Sequence, residues 1–291
     1  MNNFDIIKDN VRQKRTEIRN ARIKSKSVLS ELAYEMFKTA DAENVMSLLA
    51  DAGDRVTEYI NIRDSAETED FTDRVLFRLE EKMGRKILLS DFYPEKTGAE
   101  KTVYVKSRYT DMAYDVFSSE FVYPTVLYAD DTVSVFELLD KKRADYAIVQ
   151  TADFIHGEIP GMHGLLDEYG VRICAKTSFL QSDGNTLELS LISSGYSEFI
   201  GHSDSLYMSF GFYQSGGNSM LKNAISAIEY FGAEVCSIKS KNDGHTLFDG
   251  RYDVRVFGTK ESIIKLLTYL NIFCNGFTFF GIWKPKTEVI K

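Results

Sequence analysis

The chain has 291 residues, of which 44% are hydrophobic and 27% charged, a balance that belongs to folded globular proteins and excludes wholesale disorder. Its 35 basic and 43 acidic residues leave a formal charge of -8, which argues against a dedicated nucleic-acid binder. Cys174, Cys236 and Cys274 are too few and too scattered for a disulfide framework or a zinc knuckle, and no apolar run approaches the ~18 to 20 residues that cross a bilayer. The start, "MNNFDIIKDNVRQKR", lacks the charged, apolar and small-residue succession of a signal peptide, so a cytoplasmic protein with buried free thiols is expected.

Taken in chain order, Phe4, Ile7, Val11, Ile18, Ala21, Val28 and Leu32 keep a three-four spacing that predicts one long helix. Beside that stripe Arg12, Arg15, Arg19, Arg22 and Lys26 recur at the same spacing, so they share a face. That row either holds an anion or forms a solvated face. Further helices are expected around 42–62 and 69–82, the second capped by Thr68, which makes residues 1–90 a helical bundle.

"SDFYPEKTGAEK" is rich in turn formers and charges and marks a boundary, after which the period changes. "KTVYV", "VYPTVLYA" and "ADYAIVQ" read as strands, separated by helices at "RYTDMAYDVFSS" and at "DDTVSVFELLDKKR", the latter opened by Asp130 or Asp131. "GMHGLLDEYG" adds a helix, and "VRICAKTSF" and "NTLELSLISS" add strands. Strands alternating with helices predict a single α/β lobe over 101–195 with a largely parallel sheet.

From Ser205 the order is strand "SLYMSFGFY", helix "NSMLKNAISAIEYF", strand "AEVCSIKSK", strand "YDVRVFG", helix "KESIIKLLTYLNIF" and strand "FTFFGIW". That is the ferredoxin-like βαββαβ plan, placed at 203–285. Within it Gly232 supplies the positive φ that ends the first helix. The fold class is thus α/β with α+β: bundle, lobe and βαββαβ unit.

The sequence holds no phosphate-binding glycine loop, dinucleotide fingerprint, nucleophile elbow or paired-histidine zinc motif, so no cofactor and no metal are expected. His156, Glu158 and His163 are near enough in sequence to meet in space, although surface or hydrogen-bonded histidines are the commoner outcome.

The C-terminal unit resembles an ACT domain, and its closing "FTFFGIWKP" is similar to the end of the ACT domain of prephenate dehydratases. "TVSVFELLDKKRADYAIVQTADF" is similar to a segment of the same enzymes' lobe, and "EDFTDRVLFRLEEKMGRKIL" to the last helix of the chorismate mutase domain of bifunctional relatives. The resemblance implies phenylalanine biosynthesis, in which prephenate becomes phenylpyruvate, water and carbon dioxide, with a mutase-like N-terminus. It places the family's catalytic threonine on Thr186, although Leu187 and Glu188 stand where the family has arginine and phenylalanine. It places the ACT effector motifs on Ser219, Met220 and Leu221 and on a segment that includes Ser240. Arg12, Arg15, Arg19 and Arg22 would supply cations for a mutase substrate. The implied partners are a small-molecule substrate, prephenate or chorismate, an amino-acid effector and a second copy of the chain, with no nucleic acid and no membrane. A non-catalytic protein that senses an amino acid or assembles subunits through the ACT domain is the alternative.

Overall fold

The computed structural model describes residues 13, 14, 16, 17, 20, 24, 29–35, 37, 44–56, 65–93, 100–153, 157–182, 184–195, 203–213, 219–242, 250–274 and 276–285. The chain forms two compact units, Met1–Ile87 with Thr268–Phe273, and Leu88–Leu267 with Cys274–Lys291. No helix among the described residues is long and apolar enough to cross a membrane.

The first unit contains helix α1 (Val45–Val56) and helix α2 (Ser65–Met83). Three-four spacing brings Leu48, Leu49, Ala52 and Val56 of α1, and Phe71, Val75 and Leu79 of α2, into a buried core. Thr68 does not cap α2. The helix begins three residues earlier, and Thr68 is buried inside it, its carbonyl accepting a 2.8 Å hydrogen bond from Thr72 Oγ1.

The second unit is built on β1 (Lys101–Val105), α3 (Arg108–Ser118), β2 (Thr125–Ala129), α4 (Thr132–Asp140), β3 (Tyr146–Asp153), β4 (Gly157–Glu158), α5 (Met162–Glu168), β5 (Arg172–Leu180) and β6 (Thr186–Ser193). There follow β7 (Ser205–Tyr213), α6 (Ser219–Tyr230), β8 (Glu234–Asn242), β9 (Gly250–Thr259), α7 (Lys260–Phe273, which from Thr268 on is counted with the first unit) and β10 (Phe277–Trp283), the βαββαβ order expected from the sequence. Local chemistry sets the helix starts. Ser107 accepts from the Thr110 amide at 3.2 Å while the Thr110 hydroxyl accepts from the Ser107 amide at 2.8 Å, and Asp131 accepts from the Ser134 amide at 2.7 Å.

Among the described residues the strands form one ten-stranded sheet in the order β2-β1-β3-β6-β5-β10-β7-β9-β8, with β4 pairing β3. Only part of the lobe is parallel. β1 pairs with β2 and β3 in parallel, whereas β6 runs antiparallel to both β3 and β5. The cause is the short connection closed by the Gln181 amide on the Asn185 carbonyl at 2.7 Å, which turns β5 straight back into β6 where a parallel pair would need a long crossover.

Alternation along each strand divides the core. Val103, Ala147, Ile173 and Ile192 join Phe136 of α4 and Leu166 of α5 on one face, with Phe280 and Trp283 of β10. Tyr104, Ile148, Phe179 and Leu191 meet Ala113 and Phe117 of α3 on the other. β10 lies between β5 and β7, antiparallel to β7 and parallel to β5, where Gly281 stands opposite Ile173. At Gly281 φ is +147°, and a Cβ there would collide with the backbone of Ile173, so only glycine permits the two strands to approach.

Candidate functional site

The β5–β6 hairpin sets Lys176 opposite Ser190 and Ser178 opposite Glu188. Period-two alternation points Lys176 and Ser178 to the face opposite Thr177 and Phe179. On the neighbouring strands Trp283 of β10, Tyr207 of β7, Arg255 of β9 and Cys236 of β8 complete the lining of a cleft of about 340 Å³. That volume is in the range of small-ligand sites.

The cleft is organised by charge. Lys176 Nζ donates to Glu188 Oε1 at 2.6 Å, and the Thr151 hydroxyl donates to the same oxygen at 3.0 Å while exchanging a 2.7 Å hydrogen bond with Ser190. Lys176 Nζ also lies 4.5 Å from the Trp283 ring centroid, and Arg255 Cζ lies 5.6 Å from it. Tyr207 stacks on Trp283 at 6.0 Å. Burial pushes the Lys176 ammonium below the ordinary lysine range and Arg255 adds to the fall, against the opposing pull of Glu188. Burial alone would raise the Glu188 carboxyl, but Lys176, Arg255 and Thr151 outweigh it and hold the group ionised below the usual carboxylate range. Two cations against one carboxylate leave the cleft suited to an organic anion. A lysine so placed can also give up a proton or, once neutral, act as a nucleophile.

A second polar cluster lies on Glu158, His163 and Asp253, whose ligating atoms are all within 4.8 Å of one another. His163, in the first turn of α5, places Nδ1 2.8 Å from Asp253 Oδ2 and Nε2 3.8 Å from Glu158 Oε1, with its ring stacked on Phe280 at 4.0 Å. Arg251 Nε donates to Asp253 Oδ1 at 2.8 Å, and Lys239 Nζ is 3.5 Å from Glu158. The carboxylates are thus flanked by cations of the chain, Arg251 on Asp253 and Lys239 near Glu158, which ties the cluster into an ion-pair network. Gly211 makes room for it, since a Cβ there would lie 2.7 Å from Asp253 Oδ1 and 2.9 Å from Phe280.

Thr186 is the first residue of β6, pairs with Leu180, is partly buried and is not among the residues lining the cleft. It precedes Glu188 by two residues and so shares its strand face. Ser219 opens α6, Met220 and Leu221 follow it half-buried, and Ser240 is exposed on β8 opposite Tyr252. Arg12, Arg15, Arg19 and Arg22 lie outside the described residues, as does His156. Sequence reasoning paired Glu158 with His163 but missed Asp253, 90 positions from His163. It also missed Lys176, Arg255 and Trp283. The local signal for the first two is a cation inside a strand, in "CAKTSF" and in "DVRVFG".

No family model and no curated protein matches the chain. Solved structures do resemble it. One described as GqqA, a novel type of quorum quenching acylase, has a TM-score of 0.52 at 17% identity, covering 65% of this chain and 97% of its own. The X-ray structure of prephenate dehydratase from Streptococcus mutans has a TM-score of 0.52 at 14% identity, covering 64% of this chain and 98% of its own. At such identities the likeness is one of fold: the chain has a prephenate dehydratase-like α/β fold.

Proposed function

We propose that the chain is a divergent prephenate dehydratase-like protein of phenylalanine biosynthesis, and that its substrate lies in the Lys176–Arg255–Trp283 cleft. In this reading residues 1–90 are a helical bundle of chorismate mutase type, with Arg12, Arg15, Arg19 and Arg22 facing its substrate's carboxylates. Residues 101–195 are the dehydratase-like lobe and 203–285 the ACT domain, which binds an amino acid beside Ser219, Met220, Leu221 and Ser240 and joins two copies of the chain in the cytoplasm. The observation that carries the reading is the pair of cations over one buried indole, Lys176 Nζ at 4.5 Å and Arg255 Cζ at 5.6 Å.

Prephenate is a dianion with a ring hydroxyl. Arg255 holds the carboxylate of the 2-oxo acid arm in a bidentate pair. The ring carboxylate leaves as carbon dioxide, its bonding pair enters the ring, and the carbon–oxygen bond of the hydroxyl breaks as the ring becomes aromatic. Lys176 gives a proton to the departing oxygen, which leaves as water. Its lowered affinity for the proton suits it to that transfer. Glu188 holds the ammonium in place, and Thr186, two residues away on the same face, offers a hydroxyl from that side. The test is phenylpyruvate formation from prephenate by the purified chain. Turnover that falls in Lys176→Met and in Thr186→Ala is expected; no turnover in the parent chain overturns the dehydratase reading.

One observation favours a second, non-catalytic reading. Lys176, Ser178 and Glu188 come from the lobe, whereas Tyr207, Cys236, Arg255 and Trp283 come from the βαββαβ part. A ligand bound among them touches both, as a sensor would require. Calorimetric binding of phenylalanine or prephenate without turnover supports that reading.

A further inference from the structure

We infer that Lys176 forms an imine with 2-oxo acids held in the cleft, so that the site retains such a ligand covalently. The inference deepens the proposed function and rests on the reading of the cleft as a 2-oxo acid site. Its ground is geometric. The Lys176 side chain is only 10% exposed, yet its nitrogen faces a cleft of about 340 Å³ beside a second cation, Arg255. A lysine that is desolvated and next to another cation gives up its proton more readily than a free one, which favours its use as a nucleophile. Glu188 Oε1, 2.6 Å away, fixes the position of the Lys176 nitrogen in the cleft. Arg255 provides the guanidinium that fixes the ligand carboxylate, which turns the adjacent carbonyl carbon toward the amine. Trp283 and Tyr207 supply an apolar wall that limits access of water to the product.

The other nucleophiles of the cleft are less suited. The Cys236 thiol is pushed upward by partial desolvation, which favours its protonated form over the thiolate. Ser178 lies on the same strand face as Lys176, but its register partner is Glu188, an anion already engaged by Lys176 and Thr151.

The chemistry balances without an oxidant. The neutral Lys176 nitrogen attacks the ketone carbon, the carbonyl oxygen collects the two protons that the amine gives up and leaves as water, and carbon–oxygen becomes carbon–nitrogen. In the dehydratase reading an amine that has given its proton to the departing hydroxyl is left neutral, and the imine forms with a 2-oxo acid that then binds with its ketone toward Lys176.

The test is borohydride trapping of the full chain with pyruvate and with phenylpyruvate. The expected result is one adduct per chain, heavier by the oxo acid less one oxygen atom, mapped by peptide mass to Lys176. Lys176→Arg, which keeps the charge and a folded chain by far-UV circular dichroism, abolishes it. Arg255→Gln raises the half-saturating oxo acid concentration on the order of tenfold. No adduct, or adducts spread over other lysines and unchanged in Lys176→Arg, overturns the inference. Calorimetry separates the two readings: oxo acid binding without an adduct sinks the imine alone, and neither binding nor adduct sinks both.

Discussion

Lys176 and Trp283 lie on adjacent parallel strands, and the ammonium of the one rests 4.5 Å from the ring centroid of the other. Trp283 is the single tryptophan of the chain, so its emission reports on the cleft alone. An aromatic 2-oxo acid entering between Lys176 and Arg255 changes that emission saturably. Lys176→Met and Arg255→Gln each weaken the apparent affinity roughly tenfold to a hundredfold, the worth of a charge-assisted hydrogen bond. An emission change that ignores both substitutions would place the ligand elsewhere.

The Lys176–Glu188 pair makes stability depend on pH on the acid side. The Glu188 carboxyl is depressed in the folded chain, so its contribution is present above the unfolded carboxylate range near 4.5 and disappears as pH falls through the folded value. Glu188→Leu leaves a buried ammonium without its partner and costs about 3 kcal/mol in urea unfolding at pH 7. The substitution also removes the acid-side dependence that belongs to this group.

Gly281 and Gly276 differ in the cost of replacement by alanine. At Gly276 φ is +76° with nothing within 4 Å, so Gly276→Ala costs about 1 kcal/mol of left-handed backbone strain. Gly281→Ala drives a methyl group into the Ile173 backbone and costs several times as much, with faster amide exchange along β5 and β10. Equal costs would show that the two strands do not meet as described.

Thiol reactivity separates the three cysteines. Cys236 is exposed, whereas Cys174 and Cys274 are buried, so one thiol reacts in the native chain and three react after denaturation. Burial pushes the Cys274 thiol up to about 12, which favours its neutral form in the folded chain. Stability at high pH is therefore lost from the unfolded thiol range near 9 upward until the folded value near 12 is passed. Cys274→Ala removes that alkaline loss.

The elements were legible because each carries its own period and its own punctuation. Asp131 caps α4 and Gly232 ends α6 at φ +73°, as residue chemistry alone predicts. The joining of the two halves of the sheet was not legible, since it depends on the pairing of β10 with β5, about a hundred positions away. The cleft was hidden for the same reason. Alternation shows that Lys176 and Arg255 point away from an apolar face, but nothing local shows that those faces meet over Trp283. Thr186 led to within two residues of Glu188, the cleft carboxylate on β6.

The place of β10 also bears on how the chain is made. Its two neighbours, β5 and β7, are complete by Tyr213, yet the strand that joins them begins only at Phe277. On a ribosome both would emerge well before it, each with an open edge that invites pairing with another nascent chain. Trp283 and the seam at Gly281 arrive together in that late strand, so the floor of the cleft and the closure of the sheet appear in one step of synthesis.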